Sequence, residues 1–183
     1  GVITTLHRLG APELERLEQA LVSYSSRRPI ALVLPCLYAE TRGPALKGII
    51  EALQAVPYLT QVTVSLSGPA DAAQYAELYR LFRDVRCLDG SSPTLVWNRG
   101  PRVAALLQRL QEEGLHAGDD GKGRATWLAY GYVLATDRAR VVAIHDCDIR
   151  EYSRELLARL CFPTANPNLN YEFAKGYYSR VED

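Results

Sequence analysis

The run Pro29-Ile30-Ala31-Leu32-Val33-Leu34-Pro35 contains no polar side chain, and this constrains the fold more than any other feature of the chain. A strand with one wet face alternates apolar and polar residues. A continuous run instead reads as a parallel strand covered by helices on both faces, closed here by its second proline. Val141-Val142-Ala143-Ile144-His145 is a second strand-type run, and it leads directly into Asp146 and Asp148, two carboxylates one residue apart. Open parallel sheets bind ligands beyond the carboxyl ends of their strands, which makes the pair a place to hold a metal. Taken alone, Asp-x-Asp reads better as an ordinary loop aspartate at Asp146 with Asp148 capping a following helix, and the rest of the chain has to change those odds.

The remaining segments alternate strand and helix patterns. Leu14, Leu17 and Leu21 keep helical spacing, with Pro12 placed for a helix start, so residues 1–28 read as a peripheral N-terminal helix ahead of an α/β domain over 29–183. Leu46, Ile49, Ile50, Leu53 and Val56 form an apolar helix stripe after the loop Cys36 to Gly43, and Val62 to Leu66 is a strand stopping at Ser67-Gly68-Pro69. A helix over Asp71 to Phe82, a short strand over Val85 to Leu88, a strand over Thr94 to Trp97 and a helix through Val103, Leu106, Leu107 and Leu110 follow. An exposed loop from Glu113 to Gly123 opens into a helix over Arg124 to Ala135. After Asp148, Ser153 is placed to cap a helix through Leu160 with Glu155 in its first turn, and Pro163 to Asn170 is expected to end it. Tyr171 to Arg180 alternates as a final strand. The pattern is α/β, a mainly parallel sheet flanked by helices.

Several classes are disfavoured. The 21 basic residues balance 21 acidic ones, leaving none of the basic excess that a general nucleic-acid binder needs. The longest apolar runs are strand-sized, so no membrane span is expected. Cys36, Cys87, Cys147 and Cys161 show no C-x-x-C spacing, which argues against zinc and for buried, reduced thiols in a cytoplasmic protein. Gly121-Lys122-Gly123 is no Walker A loop, and G-x-G-x-x-G is missing after the first strand. What remains is a lysine between glycines at a helix start, where a cation and free N–H groups can meet an anion. A nucleotide-sugar supplies such an anion, and a divalent metal on one or two carboxylates would offset its pyrophosphate charge. His145 reads as a satisfied core histidine rather than a ligand.

Five stretches in order carry a resemblance: Leu32-Val33-Leu34-Pro35 followed by Glu40; the strand ending at Ser67-Gly68; Gly121-Lys122-Gly123 with Ala125 and Trp127; Asp146/Asp148; and Ala174 to Arg180. Over residues 29–183 the chain resembles the nucleotide-sugar-binding half of a GT-A glycosyltransferase, and is most similar to the glucosyl-3-phosphoglycerate synthase and mannosylglycerate synthase group. The resemblance implies a GT-A fold with a Rossmann-like sheet. It implies that Pro35, Leu37 and Glu40 line the nucleoside site, that Ser67 contacts base or ribose, and that Lys122 touches the nucleotide. Asp148 would hold Mg²⁺ or Mn²⁺, with Asp146 as a second ligand close to ribose or donor sugar. Leu66 stands where the group usually has Asp, and the loop after Pro35 is less acidic than usual, so base preference is open.

The function this implies is metal-dependent transfer of a hexose, with retention expected, from a UDP- or GDP-hexose to a small phosphorylated or carboxylated acceptor such as 3-phosphoglycerate or glycerate. No catalytic residue is assigned, and a homodimer is left open as a further partner. The group draws its acceptor site and a metal-binding histidine from a C-terminal half, so an incomplete enzyme is expected. A sugar nucleotidyltransferase and a non-catalytic α/β binding module are the alternatives.

Overall fold

The computed structural model describes residues 14–68, 71–169 and 171–176. Its strands are β1 (Ile30–Leu37), β2 (Leu59–Ser67), β3 (Thr94–Trp97) and β4 (Val141–Ile144). Its helices are α1 (Leu14–Ser25), α2 (Pro44–Leu53), α3 (Ala72–Leu81), α4 (Pro101–Glu112), α5 (Lys122–Thr136) and α6 (Arg154–Ala165), with a 3-10 turn at Tyr38–Arg42. All strand pairs are parallel, in the order β3-β2-β1-β4. The chain builds outward from β1 through β2 to β3 and then returns to the other side of β1, so the sheet has a switch point between β1 and β4.

β1 is the strand around which the core forms. Ile30, Leu32, Leu34 and Cys36 join a cluster with Leu46, Ile49 and Leu53 of α2, Leu21 of α1, and Leu157 and Cys161 of α6. Ala31 and Val33 point the other way, onto Ala129 and Val133 of α5. Burial on both faces is why the run carries no polar residue. The N-terminal helix, peripheral by its sequence, shares this core: Leu21 is fully buried, and the buried Glu18 pairs with Arg154 of α6, whose Nε donates to it at 3.0 Å. Pro12 and the rest of 1–13 lie outside the described residues.

Pro35 does not close the first strand as its sequence position suggests, and β1 continues to Leu37. The Val33 carbonyl accepts from the His145 N–H at 3.1 Å, on the β4 side. Pro35, two residues on, faces that same side, but β4 has already ended at Ile144, opposite Val33. No strand is there to miss the absent N–H. Pro163 likewise fails to end its helix: α6 runs through it to Ala165, because a proline this near the end removes one bond to Arg159 rather than breaking a ladder. Val85 to Leu88 is not a strand: 85–87 are irregular and Leu88 opens a turn, its N–H donating to the Leu59 carbonyl at 2.7 Å. Residues 171–176 form no strand either, and the rest of that segment, Tyr177 to Arg180, lies outside the described residues. None of the described helices is long and apolar enough to cross a membrane.

His145, the first residue past β4, is buried, and its Nδ1 shares a hydrogen bond with the Tyr152 hydroxyl at 3.0 Å. Burial pushes its pKa down to about 4, although Asp146 pulls it the other way. The folded chain therefore keeps His145 neutral where an unfolded chain, with a pKa of about 6.5, takes up a proton. Its contribution, about 3 kcal/mol, is complete above pH 6.5 and is lost as the pH falls toward 4. Urea unfolding at stepped pH is expected to show this loss in the wild type and a shallower slope in His145→Gln; equal slopes would remove His145 as the proton acceptor.

Candidate functional site

Four parallel strands end at one edge, and the residues singled out in the sequence are distributed along it. Beyond Val33, β1 pairs only with β2, from Leu34↔Val64 to Leu37↔Ser67. The early end of β4 leaves a notch beside Pro35 to Leu37, and the turn after β4 carries Asp146 to Asp148 into it. Lys122 starts α5, so it sits on the first turn of a helix rather than within the loop before it. Its Nζ reaches Asp146 Oδ1 at 2.6 Å.

Glu40 enters from the 3-10 turn after β1. Its carboxylate accepts from the Leu37 N–H at 2.7 Å, which closes the turn and fixes the side chain. Burial raises the pKa of its carboxyl, and Asp148 and Asp146 add to the rise. The Lys122 ammonium is shifted up by its hydrogen bond to Asp146, with Asp148 and Glu40 contributing. The site is therefore three carboxylates sharing one ammonium. Aspartate oxygens at the exposed edge are hard donors of the kind that Mg²⁺ and Mn²⁺ take.

The other expected residues take different positions. Ser67 is buried at the end of β2, Pro35 is buried beneath the edge, and Leu37 is 51% exposed. Gly68 follows Ser67 at φ +87°, where an L side chain is strained, and a Cβ at this position would lie 4.0 Å from the Leu37 Cδ2. The fold thus brings together Glu40, Lys122, Asp146 and Asp148, with Ser67 and Leu37 on the β2 side of the same edge.

Sequence reasoning missed Asn98. It is buried just past β3, and its Nδ2 donates to Ser65 Oγ at 3.0 Å and to Ser67 Oγ at 2.9 Å. Ser65 Oγ in turn donates to the Ala125 carbonyl at 2.9 Å, fastening the first turn of α5, and so Lys122, to β2. The signal was its place at a strand end, where the sequence suggested only a turn. Arg99 and Arg124 were missed as well: both reach Asp120, at 2.7 and 2.8 Å, and hold the loop before α5. Cys36 and Cys147, far apart in sequence, meet Glu40 with donor atoms within 4.8 Å of one another.

No family model matches the sequence. The solved structure of glucosyl-3-phosphoglycerate synthase from Mycobacterium tuberculosis, in complex with Mn²⁺, UDP and glucosyl-3-phosphoglycerate, superposes with a TM-score of 0.56 at 20% identity, over 88% of this chain and 47% of that one. The fold is that of a GT-A glycosyltransferase. In sequence, the chain is 40% identical over 181 residues to the glucosyl-3-phosphoglycerate synthase of Persephonella marina, and 34% identical over 180 residues to that of Methanococcoides burtonii. These alignments take in 99% and 98% of this chain, which is thus a relative of the glucosyl-3-phosphoglycerate synthases. It spans less than half of the curated relatives it matches, 44% and 43% of their lengths.

Replacing Asn98 by Ala leaves the Ser65 and Ser67 hydroxyls with fewer partners in a buried place. The expected cost is about 1–3 kcal/mol, measured by urea unfolding. Loss of stability within error of zero would show that the network does not hold the edge.

Proposed function

We propose that this chain supplies the donor-binding part of a glycosyltransferase that moves a hexose from a nucleoside-diphosphate sugar to a small phosphorylated or carboxylated acceptor. The observation that carries the reading is the convergence of Asp146, Asp148, Glu40 and Lys122 in the notch at the switch point. The solved relative holds UDP, Mn²⁺ and glucosyl-3-phosphoglycerate, which favours a UDP-hexose as donor and 3-phosphoglycerate as acceptor. The names of both curated relatives favour the same acceptor.

Asp148, with Asp146, would hold Mg²⁺ or Mn²⁺, and the bound cation would offset the charge of the departing nucleoside diphosphate. Lys122 is placed to exchange its carboxylate partner for a phosphate oxygen, at a helix start where free N–H groups also favour an anion. Ser67, held by Asn98 through its lone pair, keeps its own proton to donate to base or ribose. Pro35 and Leu37, at the end of β1, form the wall beside the nucleoside, and Glu40 closes the turn that follows them. No side chain here is assigned as a nucleophile, in keeping with transfer that retains configuration. Four free, buried cysteines suit a reducing compartment such as the cytoplasm.

Isothermal titration of UDP and GDP, with and without Mn²⁺, tests the reading. Mn²⁺ is expected to strengthen nucleotide binding, and Asp148→Ala to weaken the Mn²⁺-dependent part at least about tenfold, since even groups behind a metal ligand cost that much. Nucleotide binding that ignores both Mn²⁺ and Asp148→Ala would overturn it.

A further inference from the structure

We propose that Cys36, Cys147 and Glu40 form a second cation site, selective for a thiophilic divalent ion such as Zn²⁺, on the buried side of the carboxylate edge. The two sulfurs and a Glu40 oxygen lie within 4.8 Å of one another. Zinc bonds of about 2.3 Å to sulfur and about 2.0–2.2 Å to oxygen, set tetrahedrally, place two sulfurs about 3.8 Å apart. The three donors are therefore within roughly an ångström of a coordinating arrangement, and none has to come from elsewhere in the fold.

Separate segments hold these donors. Cys36 is the last buried residue of β1, facing the same cluster as Leu34; Cys147 lies in the turn after the neighbouring strand; Glu40 lies in the 3-10 turn. Adjacent parallel strands bring the two cysteines together even though no C-x-x-C spacing links them. Both thiols are 1% exposed, whereas Glu40 is half-buried, so the open side of the cluster is the carboxylate side. Cys87 and Cys161 are also buried but belong to no such group of donors among the described residues.

Binding breaks both S–H bonds. The two protons leave to solvent, no electron is transferred, and two thiolates and one carboxylate face the ion with a fourth position for water. The hard-oxygen pair and the sulfur pair are thus sorted by chemistry: Mg²⁺ and Mn²⁺ take the first, and Zn²⁺ or Cd²⁺ the second. The same Glu40 carboxylate accepts from the Leu37 N–H at 2.7 Å through Oε2, so an ion held at the sulfurs draws on the group that closes the turn after β1. Only the consequence that the ion then hinders donor binding rests on the proposed function.

The test is titration of the reduced protein with Cd²⁺ in excess Mg²⁺, read by the ultraviolet thiolate-to-Cd²⁺ charge-transfer band. One ion per chain is expected, with release of two protons. The band should be halved in Cys36→Ala or Cys147→Ala, abolished in the double variant, and unchanged in Cys87→Ala. Asp148→Ala is expected to leave it intact, which separates this site from the donor metal. Co²⁺ bound to the unaltered protein should give intense tetrahedral bands, a measurement independent of any variant's folding. No Cd²⁺ band in the wild type, a band that persists in the folded double variant, or a pale octahedral Co²⁺ spectrum overturns the proposal.

Discussion

Everything at the candidate site depends on the unequal length of the two ladders that flank β1. On the β2 side β1 is paired along its whole length, but on the β4 side only from Ile30 to Val33. A parallel strand buried on both faces must satisfy its backbone, and β1 does so up to the point where β4 ends. Past that point Pro35 has no N–H to leave unpaired, and the vacated side becomes the notch into which Asp146 to Asp148 turn. Had β4 been two residues longer, the proline would interrupt a ladder and the acidic pair would be carried away from Glu40.

The notch concentrates negative charge. Glu40, Asp146 and Asp148 each raise the proton affinity of a neighbour, and Lys122 is the one ammonium ion-paired to the cluster in the described residues. Like charges held close disfavour the ionised form, and a cation relieves them. The fold enforces the proximity through the main core, not through the acids themselves. That leaves the edge poised for a divalent ion on its exposed side, with thiols immediately behind.

Much of this was legible in the sequence, and the failures have a common cause. Burial of β1 leaves a pattern that reads directly, as do the acid pair after β4 and the Ser153 cap, whose side chain accepts from the Leu156 N–H. β4, equally apolar in sequence, is instead an edge strand with Val142 exposed. Both prolines mislead because the penalty for proline depends on what lies opposite its nitrogen. At Pro35 that is the end of a neighbouring strand, and at Pro163 the last turn of a helix. The alternation in Tyr171 to Gly176 produced no strand, since a period-two pattern needs a partner edge. Asn98 and the Cys36–Cys147 pair were hidden for the same reason as the notch: strand order, not local spacing, makes them neighbours.

Strand order also ties the core to the chemistry on the other face. A single helix, α5, covers Ala31 and Val33, and its contact residues Ala129 and Val133 are small, which lets it lie close to the sheet. Close approach is what allows the Ala125 carbonyl to accept from Ser65 Oγ, and that bond fixes the height of the first turn of α5 over β2. Lys122 is three residues earlier on the same helix. Its ammonium is flexible, but the stem from which it reaches Asp146 is not. A larger side chain at Ala129 would lift the helix, lengthen the Ser65 bond and move Lys122 away from the acids, so the packing of an apolar face distant from any ligand sets the charge balance of the site.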